Sequence, residues 1–214
     1  MTIHRKDGAP VEDRFVFSGP LGVFDGFGDY AIVLSYLRDR RNNLGFGIFF
    51  LILFGMGFIV LIPGGDWGNI LLMGLICLLI LANQYAVASG FFTLRQLKQR
   101  TRDREKYIAA GKYFAKDLNM ADPISLTFED GQCRLLCGKL DERTPYRRFR
   151  TVSECEEVFH ITGYKMVDIV VPKSFLREGT LEDFRALLRR QSRRWYDFEV
   201  PEKFQTYLRE NRYY

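Results

Sequence analysis

Residues 44–62 read LGFGIFFLILFGMGFIVLI and residues 70–94 read ILLMGLICLLILANQYAVASGFFTL, and neither stretch contains a charged side chain. About 20 apolar residues in a helix cross a hydrocarbon core that is about 30 Å thick. The segment between them, residues 63–69, begins with Pro-Gly-Gly, which does not readily continue a helix. The sequence therefore predicts a transmembrane hairpin of two helices, 44–62 and 70–94.

The flanks of this hairpin are rich in Lys and Arg, whereas the short loop between its helices contains neither. Positive residues beside membrane spans remain on the cytoplasmic side. We therefore expect both termini in the cytoplasm, the loop outside and Trp67 at the outer interface. The first apolar stretch begins too late for a cleaved signal peptide. These features predict a protein of the inner (plasma) membrane.

Charged sequence surrounds the hairpin, and the mean hydropathy of the whole chain is only −0.12. A 214-residue chain of this composition is not a polytopic transporter. The sequence predicts five segments along the chain. They are an N-terminal strand and helix (1–43), the hairpin (44–94), a helical extension (95–121), a sheet-and-helix domain (122–194) and an aromatic, basic tail (195–214).

The segment before the hairpin contains a short alternating run, residues 14–21, that predicts a strand. Residues 27–41 then place apolar side chains at helical spacing and end in several arginines. Two interpretations stand for this helix. It lies on the inner leaflet as an interfacial helix, or it packs against the cytoplasmic domain. The sequence also leaves open whether the N-terminal strand joins the C-terminal sheet.

The periodicity changes from helical to twofold at Ile124, and Asp130-Gly131 predicts a tight hairpin between two strands. Alternation with breaks continues to Pro172 and indicates about five strands, the third of them bulged. Thr180 and Asp183 then begin a helix in the manner of a capping box. The predicted fold class is an α+β membrane protein, whose cytoplasmic antiparallel meander is closed by a C-terminal helix.

The run ISLTFEDG…TPYRRFRTVSECEEVFHI…DIVVPKSF…LEDFRALLRR resembles the YcxB-like family of bacterial membrane proteins. The order and spacing of these short motifs after a membrane hairpin carry the resemblance. It covers about residues 14–194 and implies the fold just described, with no established activity and no catalytic residues. The order of strands before a helix is also similar to small pleckstrin-homology-like domains, an analogy of fold alone. The matching positions are Tyr146, Phe149, Val170, Val171, Pro172, Lys173, Phe184, Arg185, Leu187 and Leu188.

Signatures of enzymes are missing from the sequence: it contains no GxSxG, no phosphate-binding GxxxxGK(S/T), no HExxH and no GxGxxG. Cys133 and Cys137 have no second pair beside them, so the spacing predicts core thiols rather than a metal site. His160 lies inside a predicted strand and is expected to be a packed residue rather than a base. We therefore expect no catalytic residues, no cofactor and no metal.

Arginines concentrate in two parts of the predicted cytoplasmic domain. Anionic lipid of the inner leaflet is the simplest partner for such charge beside a membrane. A protein partner and a plain solvated face are alternatives, and nucleic acid is not expected because no binding motif accompanies the charge. The predicted basic patch is Arg147, Arg148, Arg150, Arg189, Arg190, Arg193 and Arg194.

The second apolar stretch contains the polar pair Asn83 and Gln84. Polar groups inside a membrane form hydrogen bonds between helices or mark a transport path. Two hypotheses of function follow. The first is a membrane-anchored, non-enzymatic binding or regulatory module, with an unknown protein partner or a second copy of itself. The alternative is an oligomeric transport or channel component with Asn83 and Gln84 in the membrane interior.

Overall fold

The computed structural model describes residues 14–61, 67–109 and 122–210. The described chain divides into two units, a sheet unit of residues 1–34 and 101–214 and a helix unit of residues 35–100. The predicted loop of the hairpin lies largely outside the described residues. Residues 110–121 of the predicted helical extension lie outside them too.

The described strands and helices are largely segregated along the chain, which gives an α+β protein. The helices are α1 (Leu21–Leu61), α2 (Trp67–Ser89), α3 (Phe91–Ala109), α4 (Leu181–Gln191) and α5 (Glu202–Glu210). The strands are β1 (Phe15–Pro20), β2 (Pro123–Glu129), β3 (Gln132–Cys137), β4 (Leu140–Pro145), β5 (Phe149–Glu154), β6 (Val158–Gly163), β7 (Ile169–Pro172), β8 (Leu176–Glu178) and β9 (Arg194–Asp197). Two short 3₁₀ turns, Tyr146–Arg148 and Lys173–Phe175, precede β5 and β8.

The sheet unit contains two sheets, and the expectation of one antiparallel meander of about five strands is wrong. The five-stranded sheet has the order β4-β3-β2-β1-β8, and the four-stranded sheet has the order β7-β6-β5-β9. In the second sheet β9 runs parallel to β5, so the sheet is mixed. β4, β8 and β9 were not predicted, because they are short or charged and show no apolar alternation.

The N-terminal strand lies inside the first sheet, between β2 and β8. Its residues pair antiparallel with β2 over the whole strand, from Phe15 opposite Phe128 to Pro20 opposite Pro123. The N-terminal strand therefore joins the C-terminal sheet, and the helix unit is an insertion between two parts of one sheet unit. The predicted Asp130-Gly131 hairpin is confirmed, with φ of 47° and 74° at the two turn residues.

One aromatic side chain of α4, Phe184, packs against both sheets. The ring of Phe184 lies 4.7–5.4 Å from the rings of Phe15, Phe17, Phe128 and Phe159. The first three belong to the five-stranded sheet and Phe159 belongs to β6 of the other. α4 therefore covers the core that the two sheets share. It begins at the predicted N-cap, where Thr180 Oγ1 accepts a hydrogen bond from the Asp183 amide.

The N-terminal part of α1 packs into the sheet unit. Phe27, Val33 and Leu34 are buried there, and the ring of Phe27 lies 5.8 Å from that of Phe175. This favours the packed interpretation of the predicted helix 27–41 over the interfacial one. α1 continues without a break to Leu61, so no helix boundary falls at residue 43.

In the helix unit, α1 and α2 run antiparallel to each other. A Cβ placed on Gly47 would meet the side chain of Gln84, and one on Gly57 would lie 2.7 Å from the Met73 methyl carbon. The hydroxyl of Tyr36 donates to the carbonyl oxygens of Val87 and Ala88, at 2.8 and 3.1 Å. Gly47 and Gly57 therefore allow the two helices to pack closely at these positions.

Among the described residues, one helix is long and apolar enough to cross a membrane, α2. The apolar stretch of α1, Gly47–Gly57, is shorter. α2 ends at Ser89 because Gly90 adopts a φ of 68°, a left-handed conformation that terminates helices. The predicted crossing 70–94 is therefore too long at its C-terminal end. The predicted helical extension follows as α3.

Candidate functional site

The strands of the four-stranded sheet bring opposite charges to its two ends. β5 runs parallel to β9 and antiparallel to β6. The starts of β5 and β9 therefore lie at the same end of the sheet as the end of β6. Arg150 and Arg194 lie at this end, which we call the basic end. Glu154 and Asp197 lie at the opposite, acidic end.

Backbone hydrogen bonds hold the arginines of the basic end close together. The Arg193 amide donates to the Arg150 carbonyl at 3.0 Å, and Arg194 pairs with Thr151 across the parallel strands. Arg147 and Arg148 occupy the 3₁₀ turn immediately before β5. Both side chains are exposed. The two distant arginine runs of the sequence therefore meet at one end of the sheet.

The end of α4 adds two further arginines to the same region. The Arg189 guanidinium lies over the ring of Trp195 at 4.9 Å from the centroid, a cation–π arrangement. Arg190 is exposed on the last turn. Positive charge is favourable at a helix C-terminus, where the backbone carbonyls lack partners. All seven arginines of the predicted basic patch thus lie at or beside the basic end.

The turn between β6 and β7 completes the basic end. Arg148 donates through Nη1 to the Lys165 carbonyl at 3.3 Å, and the Tyr164 amide donates to the Arg148 carbonyl at 3.1 Å. Tyr164 is 60% exposed and Val167 is 73% exposed. No local pattern in the sequence marks Lys165 or the two exposed side chains, because their importance depends on which strand ends they join.

A buried ion cluster occupies the acidic end. The Glu154 carboxylate, whose side chain is 7% exposed, accepts from Lys173 Nζ at 2.5 Å and from Arg185 Nη2 at 2.7 Å. Glu154 is therefore buried rather than solvated, although it is a charged residue close to a turn. The two cations come from the 3₁₀ turn after β7 and from α4. They are two of the positions that carry the YcxB-like resemblance.

The environment of Glu154 changes its proton affinity in two opposing directions. Burial raises the pKa of the carboxyl group, but hydrogen bonds from Arg185 and Lys173 and their positive charges lower it by more. The net effect is a lowered pKa, so Glu154 is ionised at neutral pH. The cluster therefore ties α4 and the end of β7 to β5, which is a structural role.

A shallow depression of about 360 Å³ lies beside this cluster. Four carboxylates and one amine face it, together with a buried thiol. Burial raises the pKa of that Cys155 thiol, which disfavours the reactive thiolate. The lining residues are Glu154, Cys155, Glu156, Lys173, Asp197, Phe198 and Glu199.

Ser153 on β5, His160 on β6 and Asp168 just before β7 have the composition of a catalytic triad. His160 is fully buried, and its Nε2 lies 3.2 Å from an Asp168 carboxylate oxygen. Ser153 lies directly opposite His160 in the strand register. Ser153 Oγ and His160 Nδ1 are both buried, and neither has a hydrogen-bond partner among the described residues. A nucleophile needs a base within hydrogen-bond distance and access to substrate, so His160 is a packed residue.

The remaining predicted sites concern thiols and metals. Cys133 and Cys137 are buried on one face of β3, and burial raises the pKa of Cys133 to about 12. In residues 14–61, 67–109 and 122–210, no group of three or more His, Cys, Asp and Glu side chains could hold a metal ion.

The structure separates the two polar residues of α2. Gln84 contacts Gly47 of α1, and its Oε1 atom is buried with no hydrogen-bond partner in the described part of the chain. Asn83 is exposed on the surface of α2. The two amides therefore do not line one common surface. Gln84 packs within the antiparallel helix pair.

Comparison of the chain with protein-family models, with curated proteins and with solved structures finds no match.

Proposed function

We propose that this protein is a membrane-anchored, non-enzymatic binding or regulatory module whose sheet unit contacts a partner beside the bilayer. The observation that carries the proposal is α2, an apolar helix of 23 residues of which none is buried. Such a helix in water would expose a large apolar surface. A membrane removes that cost.

The proposed anchor is a hairpin of two crossings, with both termini in the cytoplasm. The antiparallel contacts of α1 with α2 support it, as does the apolar composition of residues 44–62. The orientation depends on the Lys and Arg residues that flank the helices. An anchor of this kind keeps the sheet unit at a high effective concentration near the inner leaflet.

A distant relationship to the YcxB-like family forms part of the proposal. The positions that suggested it are concentrated in the core. Phe184 joins the two sheets, while Lys173 and Arg185 bind the same carboxylate of Glu154. Motif residues that converge in space support one shared fold better than isolated short matches do.

The test is a membrane-extraction and topology experiment on the full chain. We expect the protein to remain in the membrane pellet after alkaline carbonate washing. Tags at the N-terminus and at the C-terminus should both resist protease added to intact cells and become digested after permeabilisation. Release by carbonate, or digestion of either tag in intact cells, would contradict the anchored module.

The alternative function, an oligomeric transport or channel component, is favoured by one observation. Asn83 is exposed on α2, where an amide in lipid benefits from a partner on another copy. Against it, Gln84 packs on Gly47 within one chain. Cross-linking of Asn83→Cys between copies in intact membranes would favour the alternative, and the absence of such cross-links would favour the module.

A further inference from the structure

The charges of the four-stranded sheet are segregated along its strands. Arg150 and Glu154 are four positions apart on β5, which is about 13 Å at the rise of an extended chain. Arg148, Arg193 and Lys165 cluster with the first of these residues, and the depression lined by carboxylates lies beside the second. Because the positive charge lies at one end of the sheet and the carboxylates at the other, an anionic surface is attracted to the basic end only.

The turn at the basic end also presents apolar surface. Four large hydrophobic side chains are exposed among the described residues of the sheet unit, and the two most exposed are Tyr164 and Val167, on either side of Lys165. The Lys165 side chain lies 5.2 Å from the ring centroid of Tyr164. Aromatic and apolar side chains flanked by cations favour the interface between lipid headgroups and acyl chains.

The combination of positive charge and exposed apolar side chains at the basic end favours one kind of partner over another. Single-stranded nucleic acid is typically bound by aromatic rings that stack on successive bases along a groove, whereas Tyr164 and Val167 protrude from a single tight turn. A lipid surface supplies both the negative headgroups for the arginines and an apolar layer for the protruding side chains. The tether of the proposed function already places such a surface close by.

We propose that the basic end of the four-stranded sheet docks on anionic phospholipid, with the Tyr164–Val167 turn inserted between headgroups. This inference rests on the proposed function, because it requires the chain to be anchored in a bilayer. It commits to one ligand class, an anionic phospholipid surface, among the partners that the sequence left open for this patch. Docking should weaken as salt rises, because the attraction is between exposed charges.

The experiment uses the full chain in nanodiscs of phosphatidylcholine alone or mixed with phosphatidylglycerol. An environment-sensitive dye is attached at Val167→Cys in a Cys77→Ala background, where the remaining native thiols are buried. We expect a blue-shifted emission and quenching by brominated acyl chains with the anionic lipid. Neither should occur with phosphatidylcholine alone.

Charge reversal provides the matched comparison. Lys165→Glu should shift the docked equilibrium about tenfold towards the undocked state, because each basic residue near an anionic surface contributes substantially to binding. Arg143→Glu, the same change on exposed β4 of the other sheet, should leave docking unchanged. Lys165→Arg should restore docking, which separates charge from folding.

The outcomes separate the two proposals. If the chain does not insert into either nanodisc, the anchored module fails. If it inserts but the dye reports the same environment with both lipids, the docking inference alone is wrong. Docking that depends on added nucleic acid, or on the number of copies per disc, would likewise overturn the lipid assignment.

Discussion

At the residue scale, Phe184 explains how the described strands of two sheets share one core. Its ring contacts aromatic rings of both sheets, and it is fully buried. The sequence placed Phe184 on the apolar face of a helix, which follows from its spacing with Leu187 and Leu188. Its partners on β1 and β6 are distant in sequence, so only the folded chain reveals them.

Phe184→Ala should lower the free energy of unfolding of the sheet unit by about 4 kcal/mol, because removal of a buried ring leaves a cavity among four others. The measurement is chemical denaturation of the full chain in detergent, followed by the near-ultraviolet circular dichroism of the aromatic core. Phe198→Ala, at a half-buried ring stacked on Tyr196, is the control. An equal loss for the two variants would contradict the central role of Phe184.

The ion cluster at Glu154 links stability to acid pH. The pKa of Glu154 is lowered in the folded protein, so the folded state binds its proton less readily than the unfolded state does. Its contribution to stability is therefore complete above the unfolded pKa of about 4.3 and is lost as pH falls through the folded pKa.

Glu154→Gln should cost on the order of 2 kcal/mol at neutral pH, because it leaves two cations without their anion. This is less than for a fully buried pair, since the Arg185 side chain is 34% exposed. The difference from the wild type should shrink as pH falls below about 4. Thermal unfolding at several pH values measures it, with Asp141→Asn as the exposed control. A difference that grows on acidification would contradict the argument.

At the scale of elements, the sequence predicted those whose apolar side chains alternate or recur. The pair β2 and β3, the strand β6 and the helix α4 all show such patterns. β4 reads LDERTP and is an edge strand whose charged side chains suit exposure on both faces. β9 depends on parallel pairing with β5, a contact between residues more than 40 positions apart.

The contact between α1 and α2 gives a prediction with a built-in control. Gly47→Leu should loosen the helix pair, because a side chain there meets Gln84. Gly55→Leu lies on the same helix with nothing within 4 Å of an added Cβ, so it should be tolerated.

The two leucine variants are compared by their thermal loss of helicity in detergent micelles. Both replace Gly by Leu, so the change in helix propensity is the same and cancels in the comparison. We expect a lower midpoint for Gly47→Leu than for Gly55→Leu. Equal midpoints would mean that the close approach of the helices does not contribute to stability.

At the scale of the whole molecule, residues 195–210 of the predicted tail are part of the fold. β9 adds a strand to β5, and Val200, Phe204 and Leu208 are buried after it. The sequence showed that this region is rich in aromatic and basic residues but did not indicate which residues they contact. Its partners are Ser153 on β5, opposite Tyr196, and Thr101 on α3, whose hydroxyl lies 2.5 Å from that of Tyr207.

A chain that ends at Arg194 should therefore fail to form a stable sheet unit, because it loses the ladder to β5 and three buried apolar side chains. Hydrogen exchange of the β5 amides measures this, and we expect protection to be lost. A chain that ends at Glu210 retains every described contact and should keep the protection. Native protection in the shorter chain would show that β9 and α5 are dispensable.

The sequence by itself determined the apolar stretches, the twofold alternation, the Asp130-Gly131 turn and the cap at Thr180, because each depends on neighbouring residues. It also identified seven arginines, but as two runs about 40 residues apart. Only the tertiary structure decided that the runs meet, that Lys165, Tyr164 and Val167 join them, and that Glu154 is buried. These depend on strand register and on parallel pairing, which are set by packing between distant segments rather than by local pattern.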